Sequence, residues 1–141
     1  MLVCCVLLCL TGCGSNKEAQ RSVLRVGVVL YTQDDPFINA LTDCLKEDLE
    51  DYETDSLKII MTVRDGKNDQ KLQDEVVEEI LDAGCDILVV DLVDRTEPSN
   101  IIKMAKNENI PVIFFNREPV REDLMQWDKL YYVGGDAAAR D

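Results

Sequence analysis

The segment VGVVLYTQDDPF, residues 26–37, joins a predicted strand to a predicted helix. Its first half belongs to a β-branched apolar run over residues 23–31, which is typical of a strand buried on both faces because polar residues do not alternate with apolar ones. Asp35-Pro36 then predicts the start of a helix, with aspartate as the N-cap and proline at the first helical position. A buried strand that leads directly into a helix is the opening of a β–α unit.

The same alternation continues along the chain. Further strands are predicted at residues 57–63, 87–90, 112–115 and 131–133, with helices that begin near Asp69 and after Pro98 and a loop over residues 116–130. Gly84 is expected to cap the second helix. Strands that are separated by helices need crossover connections, so the sequence predicts an α/β fold with a parallel sheet and helices on both faces.

The spacing of apolar residues assigns an inner face to each helix. We predict Phe37, Ala40, Leu41, Cys44, Leu45 and Leu49 for the first helix, Leu72, Val76, Ile80 and Leu81 for the second, and Ile101, Ile102 and Ala105 for the third. Cys44 and Cys85 are interpreted as small core residues, with a disulfide as the alternative. No CxxC pair indicates a zinc or redox site.

Composition narrows the range of functions. The chain has 28 acidic and 15 basic residues and a net charge of −13, and such a surface repels phosphate backbones, so no nucleic-acid partner is expected. It has no histidine, the commonest general base and metal ligand. Glycine-rich nucleotide loops and the GxSxG nucleophile motif are also absent from the sequence. We therefore expect a binding protein and not an enzyme.

The first thirteen residues predict an export signal. Residues 2–10 (LVCCVLLCL) form an apolar run that is too short to span a bilayer, and LTGC at residues 10–13 resembles the lipobox of bacterial lipoproteins. The alternative is a buried N-terminal strand. We interpret residues 1–13 as a lipoprotein signal peptide with Cys13 lipidated, residues 14–22 as a flexible tether and residues 23–141 as the folded domain. The protein is then expected to be exported and lipid-anchored to the outer face of the cell membrane, or periplasmic.

Candidate binding residues follow the predicted strands, because ligands of parallel sheets bind beyond the carboxyl ends of the strands. A carboxylate accepts two hydroxyl protons and an aromatic ring covers an apolar C–H face, and a sugar presents both kinds of surface. We therefore predict sugar-binding roles for Asp35, Phe37 and Asp91, with Asn116 and Arg117 as additional candidates. The alternatives are helix capping for Asp35 and core packing for Phe37.

Several segments together resemble galactose/glucose-binding proteins, which belong to the type I periplasmic binding proteins. Besides residues 26–37 they are KNDQ (67–70), DLVD (91–94), IPVIFFNREP (110–119) and YYVGGD (131–136). The resemblance implies a two-lobed clamp that closes on one monosaccharide, galactose or glucose, and serves an ABC permease. It also implies that this chain is an N-terminal fragment holding an incomplete first lobe. The family's calcium site would then lie in the second lobe, so no cofactor is expected here.

The resemblance assigns roles to individual residues. Asp35 looks like the family's hydroxyl-accepting aspartate, and Phe37 looks like one of its two stacking rings. Asp91 stands where galactose/glucose binders usually carry asparagine, which leaves the identity of the sugar open because an amide donates as well as accepts. Arg117 resembles a sugar-contacting arginine of ribose binders.

Three alternative functions remain at this point. A sensor that presents a sugar to a chemoreceptor has the same sequence features as a transport protein. A phosphoacceptor receiver domain shares the acidic layout of Asp34, Asp35 and Asp91, but it needs Ser or Thr and then Lys where Asn116 and Gly134 stand. The sensor core of a lactose-repressor-type regulator would need a basic helix-turn-helix in place of the apolar N-terminus.

Overall fold

The computed structural model describes residues 21–135. The export signal, the lipidation of Cys13, all but the last two residues of the tether, and Asp136 lie outside the described residues. They remain predictions.

Five strands and four helices alternate in the described part of the chain. They are β1 (Ser22–Leu30), α1 (Pro36–Asp51), β2 (Leu57–Asp65), α2 (Gln70–Asp82), β3 (Ile87–Val90), α3 (Ser99–Asn107), β4 (Val112–Phe115), α4 (Arg121–Leu124) and β5 (Leu130–Val133). The five strands and three longer helices were predicted. The single turn α4 was predicted as loop, and it buries none of its residues, so it leaves no apolar periodicity in the sequence.

All strand pairs are parallel, and the order in the sheet is β2-β1-β3-β4-β5. The chain leaves β1 toward one edge to form β2 and then crosses back past β1 to form β3. Connections after β1 and β3 therefore diverge at their carboxyl ends, and this is the topological switch point at which α/β proteins bind ligands. The predicted α/β fold is confirmed.

Two apolar layers lie on opposite faces of the sheet, because successive strand residues point to opposite sides. One face packs under α2 and α3, with Val29, Val77, Leu88, Ile101 and Phe114 in its core. The other packs under α1, with Val26, Val28 and Ile38 among its buried residues. Helices thus cover both faces, as predicted.

The inner face of α1 differs from the predicted one. Ile38 and Thr42 are buried, Leu45 and Leu49 are partly buried, and Phe37, Ala40, Leu41 and Cys44 are exposed. The predicted inner face did not include Thr42, whose hydroxyl donates to the carbonyl of Ile38 at 2.8 Å and is thereby satisfied inside the core. The core role of Cys44 was therefore wrong, whereas Cys85 is buried as predicted, and neither forms a disulfide.

The inner face of α2 is also rotated slightly from the prediction. Gln73, Val77, Ile80 and Leu81 are buried, while Leu72 and Val76 are only partly buried. Helix α2 approaches the sheet closely at Gly27, where a Cβ would collide with Ile80. The helix ends as predicted, since Gly84 follows the C-cap with a φ of 88° that favours glycine.

Candidate functional site

The candidate residues meet at the switch point between β1, β3 and β4. Asp35 lies in the connection after β1, Asp91 directly follows β3, and Asn116 and Arg117 directly follow β4. Tyr31, at the end of β1, connects them and was not among the predicted site residues. Parallel strands bring their carboxyl ends to one edge of the sheet, which is why residues up to 86 positions apart in sequence become neighbours.

Asp35 caps α1 as predicted. Its Oδ1 accepts from the backbone N–H groups of Phe37 at 2.9 Å and Ile38 at 3.4 Å, and its Oδ2 accepts from the Tyr31 hydroxyl at 2.5 Å. The Tyr31 hydrogen bond is the main reason that the pKa of Asp35 lies below its usual range. A carboxylate has about four acceptor positions. Asp35 thus stays ionised and keeps an acceptor position for a ligand.

Arg117 stacks on Tyr31 and is anchored by the backbone. Its Cζ lies 3.8 Å from the centroid of the Tyr31 ring, a cation–π arrangement. One guanidinium nitrogen, Nη1, donates to the carbonyls of Leu92 at 3.2 Å and Val93 at 2.7 Å. The other two guanidinium nitrogens donate to no residue of the described chain, so Arg117 presents free donors from a fixed position.

Asp91 is wholly buried. Its Oδ2 accepts from Nδ2 of Asn116 at 3.0 Å, whereas its Oδ1 has no hydrogen-bond partner among residues 21–135. Burial raises the pKa of Asp91 to about 6, against the opposing effects of the Asn116 hydrogen bond and the Arg117 charge. Direct contact between Asp91 and a ligand would require its neighbours to move, and that contact remains a prediction.

Asn116 is exposed, and its backbone adopts the left-handed conformation with a φ of 58°. Asparagine tolerates this conformation better than most residues, and it ends β4 sharply. Its backbone carbonyl oxygen accepts from the Tyr132 hydroxyl at 3.2 Å. The side chain of Asn116 is held by its amide nitrogen, which donates to Asp91.

Phe37 is 66% exposed, so core packing, the alternative role for this ring, is excluded. The ring stands on the first turn of α1, next to the Asp35 cap. A large exposed aromatic ring is costly in water and available to a partner. Its contact with a sugar remains a prediction.

Gln73 is a second residue that the sequence analysis missed. It is buried on α2, and its Nε2 donates to the carbonyl of Asp91 at 2.8 Å while its Oε1 accepts from the N–H of Val93 at 3.0 Å. A long polar side chain on an apolar helix face, one helical turn before Val77, was the signal that pointed to such a role. Gln73 fixes the backbone at the point where β3 turns into the site.

The candidate residues differ in exposure. Phe37 and Asn116 are exposed, Asp35 and Arg117 are half-buried, and Asp91 is buried. A partly open cavity of about 220 Å³ lies elsewhere, between α2 and strands β1 and β2, and its lining includes Arg25, Ile60 and Glu79 but none of the predicted site residues.

Two features are absent from the described part of the chain. Among residues 21–135, no three histidine, cysteine or acidic side chains are grouped so that they could hold a metal ion. No helix in the same range is long and apolar enough to cross a bilayer.

Comparison with known proteins places this arrangement in a family. Residues 26–139 match the periplasmic binding protein domain. The D-galactose/methyl-galactoside binding periplasmic protein MglB of Haemophilus influenzae is 35% identical over 123 residues, which are 87% of this chain and 36% of that protein. The putative rhizopine-binding protein of Rhizobium meliloti is 28% identical over 100 residues, which are 71% of this chain and 31% of that protein.

A solved structure shows the same architecture. An ABC transporter solute binding protein from Bacillus halodurans with bound myo-inositol is 26% identical, with a TM-score of 0.58 over 76% of this chain and 35% of that chain. The chain therefore spans about a third of the length of these similar proteins. Since the family match covers most of the chain and includes every strand and loop that builds the candidate site, the chain belongs to the periplasmic binding protein domain family, whose members bind solutes and are not enzymes.

Proposed function

We propose that this chain forms one wall of the monosaccharide site of a binding protein that serves an ABC sugar importer, with galactose or glucose as the ligand. Asp35 accepts sugar hydroxyls, Phe37 covers one face of the pyranose ring, and Arg117 and Asn116 contact further hydroxyls. Asp91, which is buried and hydrogen-bonded to Asn116, also takes part in the site. The single observation that carries the proposal is that an ionised carboxylate, an exposed ring and a fixed guanidinium meet at the switch point.

The names of the similar proteins support a sugar and leave its identity open. The Haemophilus relative is named for D-galactose and methyl-galactoside, and the Bacillus structure holds myo-inositol. All are donor-rich polyols, which suits a crevice built from acceptors and one cation. Galactose is our first choice because the Haemophilus relative, which is named for it, has a higher identity to this chain than the Rhizobium protein or the Bacillus structure.

The sugar is tested with a chimera in which residues 24–135 replace the matching segment of the Haemophilus relative and the rest of that protein is retained. Calorimetry with D-galactose, D-glucose and D-ribose side by side should give saturable binding of galactose or glucose, and weaker binding of ribose. If the chimera folds with a cooperative melt and binds none of the three, the proposed function is wrong.

Export and anchoring are the second part of the proposal. Cys13 follows an apolar run, and a lipid on this residue would hold the binding protein at the membrane beside its permease. Intact-mass analysis of the exported protein should show two or three acyl chains on Cys13 and no residue before it, since one chain anchors only marginally. A Cys13→Ala variant that remains equally membrane-bound would refute the anchor.

A further inference from the structure

Asp91 and Asn116 form an amide–carboxylate pair in which one partner is buried and the other faces the crevice. Asp91 has no exposed surface, whereas Asn116 is exposed. The pair is joined by the 3.0 Å bond from Nδ2 of Asn116 to Oδ2 of Asp91. The polarity of the buried partner therefore determines which end of the exposed amide is free.

An ionised carboxylate accepts hydrogen bonds and cannot donate them. The atom of Asn116 that faces Asp91 must then be the amide nitrogen, and the amide oxygen is the atom left for a ligand. Rotation of the amide by half a turn would place two acceptors against each other in a buried position, which is strongly unfavourable. The bond from the Tyr132 hydroxyl to the backbone carbonyl of Asn116 holds the left-handed backbone of this residue in place.

We propose that Asp91 is a positioning residue that fixes Asn116 as a hydrogen-bond acceptor toward the ligand, so that the crevice selects a hydroxyl that donates at this point and rejects a group that can only accept. This inference rests on the proposed function and adds a specificity rule to it. Asp35 and Asn116 then both accept, and Arg117 alone donates from its side chain. Neutral polyols satisfy such a set, whereas an acceptor-only substituent beside Asn116 meets an acceptor.

The rule depends on the charge of Asp91. The charged and titratable groups that act on Asp91 are Arg117, Asp35 and Tyr31. Desolvation outweighs the help of Arg117 and raises the pKa of Asp91 to about 6. A proton on Oδ2 lets Asp91 donate toward Asn116, and the Asn116 amide is then free to turn its oxygen toward Asp91.

The positioning role is tested on the full chain without any sugar, through the side-chain amide signal of Asn116 in ¹⁵N NMR, assigned with Asn116→Ser. We expect this signal to shift with a midpoint near pH 6 and to lose that response in Asp91→Asn. Asn39, whose amide donates to the backbone carbonyl of Gln33 at 2.7 Å, is the internal control and should not respond. An Asn116 signal that ignores pH between 5 and 7, or ignores Asp91→Asn, would overturn the proposal.

The specificity rule is tested in the chimera with D-galactose and its deoxyfluoro analogues, in which fluorine accepts but cannot donate. At least one analogue should bind about tenfold or more weaker than galactose, and Asp91→Asn should reduce that ratio to about threefold. If galactose binds and no ratio changes in Asp91→Asn, the specificity rule fails. If galactose does not bind at all, the proposed function fails, and the amide signal still decides the positioning role.

Discussion

Acidic side chains have different partners at the two ends of the sheet. At the amino end, Glu53 forms ion pairs with Lys58 at 3.1 Å and Arg21 at 3.4 Å and also accepts the N–H of Ile59. At the carboxyl end, none of the ion pairs among residues 21–135 involves Asp35 or Asp91. Their partners are a hydroxyl, an amide and backbone N–H groups.

The difference indicates that the groups available to bind a ligand lie at the carboxyl end of the sheet. Exposed ion pairs such as those of Glu53 satisfy their own charges and contribute little to stability. At the carboxyl end the guanidinium of Arg117 lies on an aromatic ring, so the nearby carboxylates are not neutralised by direct contact. A buried carboxylate such as Asp91, without an ion-pair partner, is costly to maintain, and such groups are concentrated at functional sites.

The largest effect is expected when Asp35 is removed in the chimera. Asp35→Ala should weaken galactose binding about 30- to 1,000-fold, because hydroxyls lose a charged acceptor in a closed cleft. Asp35→Asn should cost less, since it keeps the shape and one acceptor. Asp94→Asn is the matched control, an exposed loop acid that accepts from Thr96, and calorimetry should find its binding unchanged.

Phe37→Ala should weaken galactose binding by about 1–3 kcal/mol through the loss of apolar contact. The ring is 66% exposed, so the thermal midpoint of the variant should stay close to that of the parent. Tyr52→Ala provides a matched aromatic control at the other end of α1, where the ring is 73% exposed. Equal losses of affinity in both variants would contradict a stacking role for Phe37.

Asp91→Asn should stabilise the protein above pH 6 by about 1–2 kcal/mol and leave galactose affinity intact or improved. The pKa of Asp91 is raised from 3.8 to about 6, so the folded state resists ionisation. The parent therefore loses stability as pH rises from about 4 to about 6, and asparagine removes this loss. Urea unfolding at pH 4 and pH 7.5 measures it. A gain of the same size at both values would mean that the carboxyl charge is not its cause.

The smallest effect is expected at the amino end. Hydrogen bonds from the Ile59 N–H and Lys58 hold the pKa of Glu53 below its usual range. Glu53 therefore adds stability above the pKa of an unfolded glutamate, and that contribution disappears as pH falls through the lowered value. Glu53→Gln should lower the melting temperature slightly at pH 7 and not in acid, and galactose affinity should be unchanged. A clear loss of galactose affinity in Glu53→Gln would show that the amino end of the sheet also takes part in binding.

Sequence patterns between near neighbours predicted the fold and part of the candidate site. The Asp35-Pro36 pair predicted both the helix start and the cap, because N-capping depends on neighbours within three residues. The burial of Asp91 under Asn116 and the bridging role of Gln73 were not predicted, since each depends on contacts 18 to 25 residues apart in sequence. The inner face of α1 was predicted from Phe37, Leu41 and Cys44, whereas the buried residues are Ile38 and Thr42.

A crystal structure of the galactose-bound chimera shows whether the sugar binds at the carboxyl ends of the strands against Asp35. We expect density for one pyranose with a hydroxyl within hydrogen-bonding distance of the Asp35 carboxylate, a ring face over Phe37 and a free nitrogen of Arg117 in contact. A sugar bound without contact to Asp35, or placed at the amino end beside Glu53, would show that the site lies elsewhere.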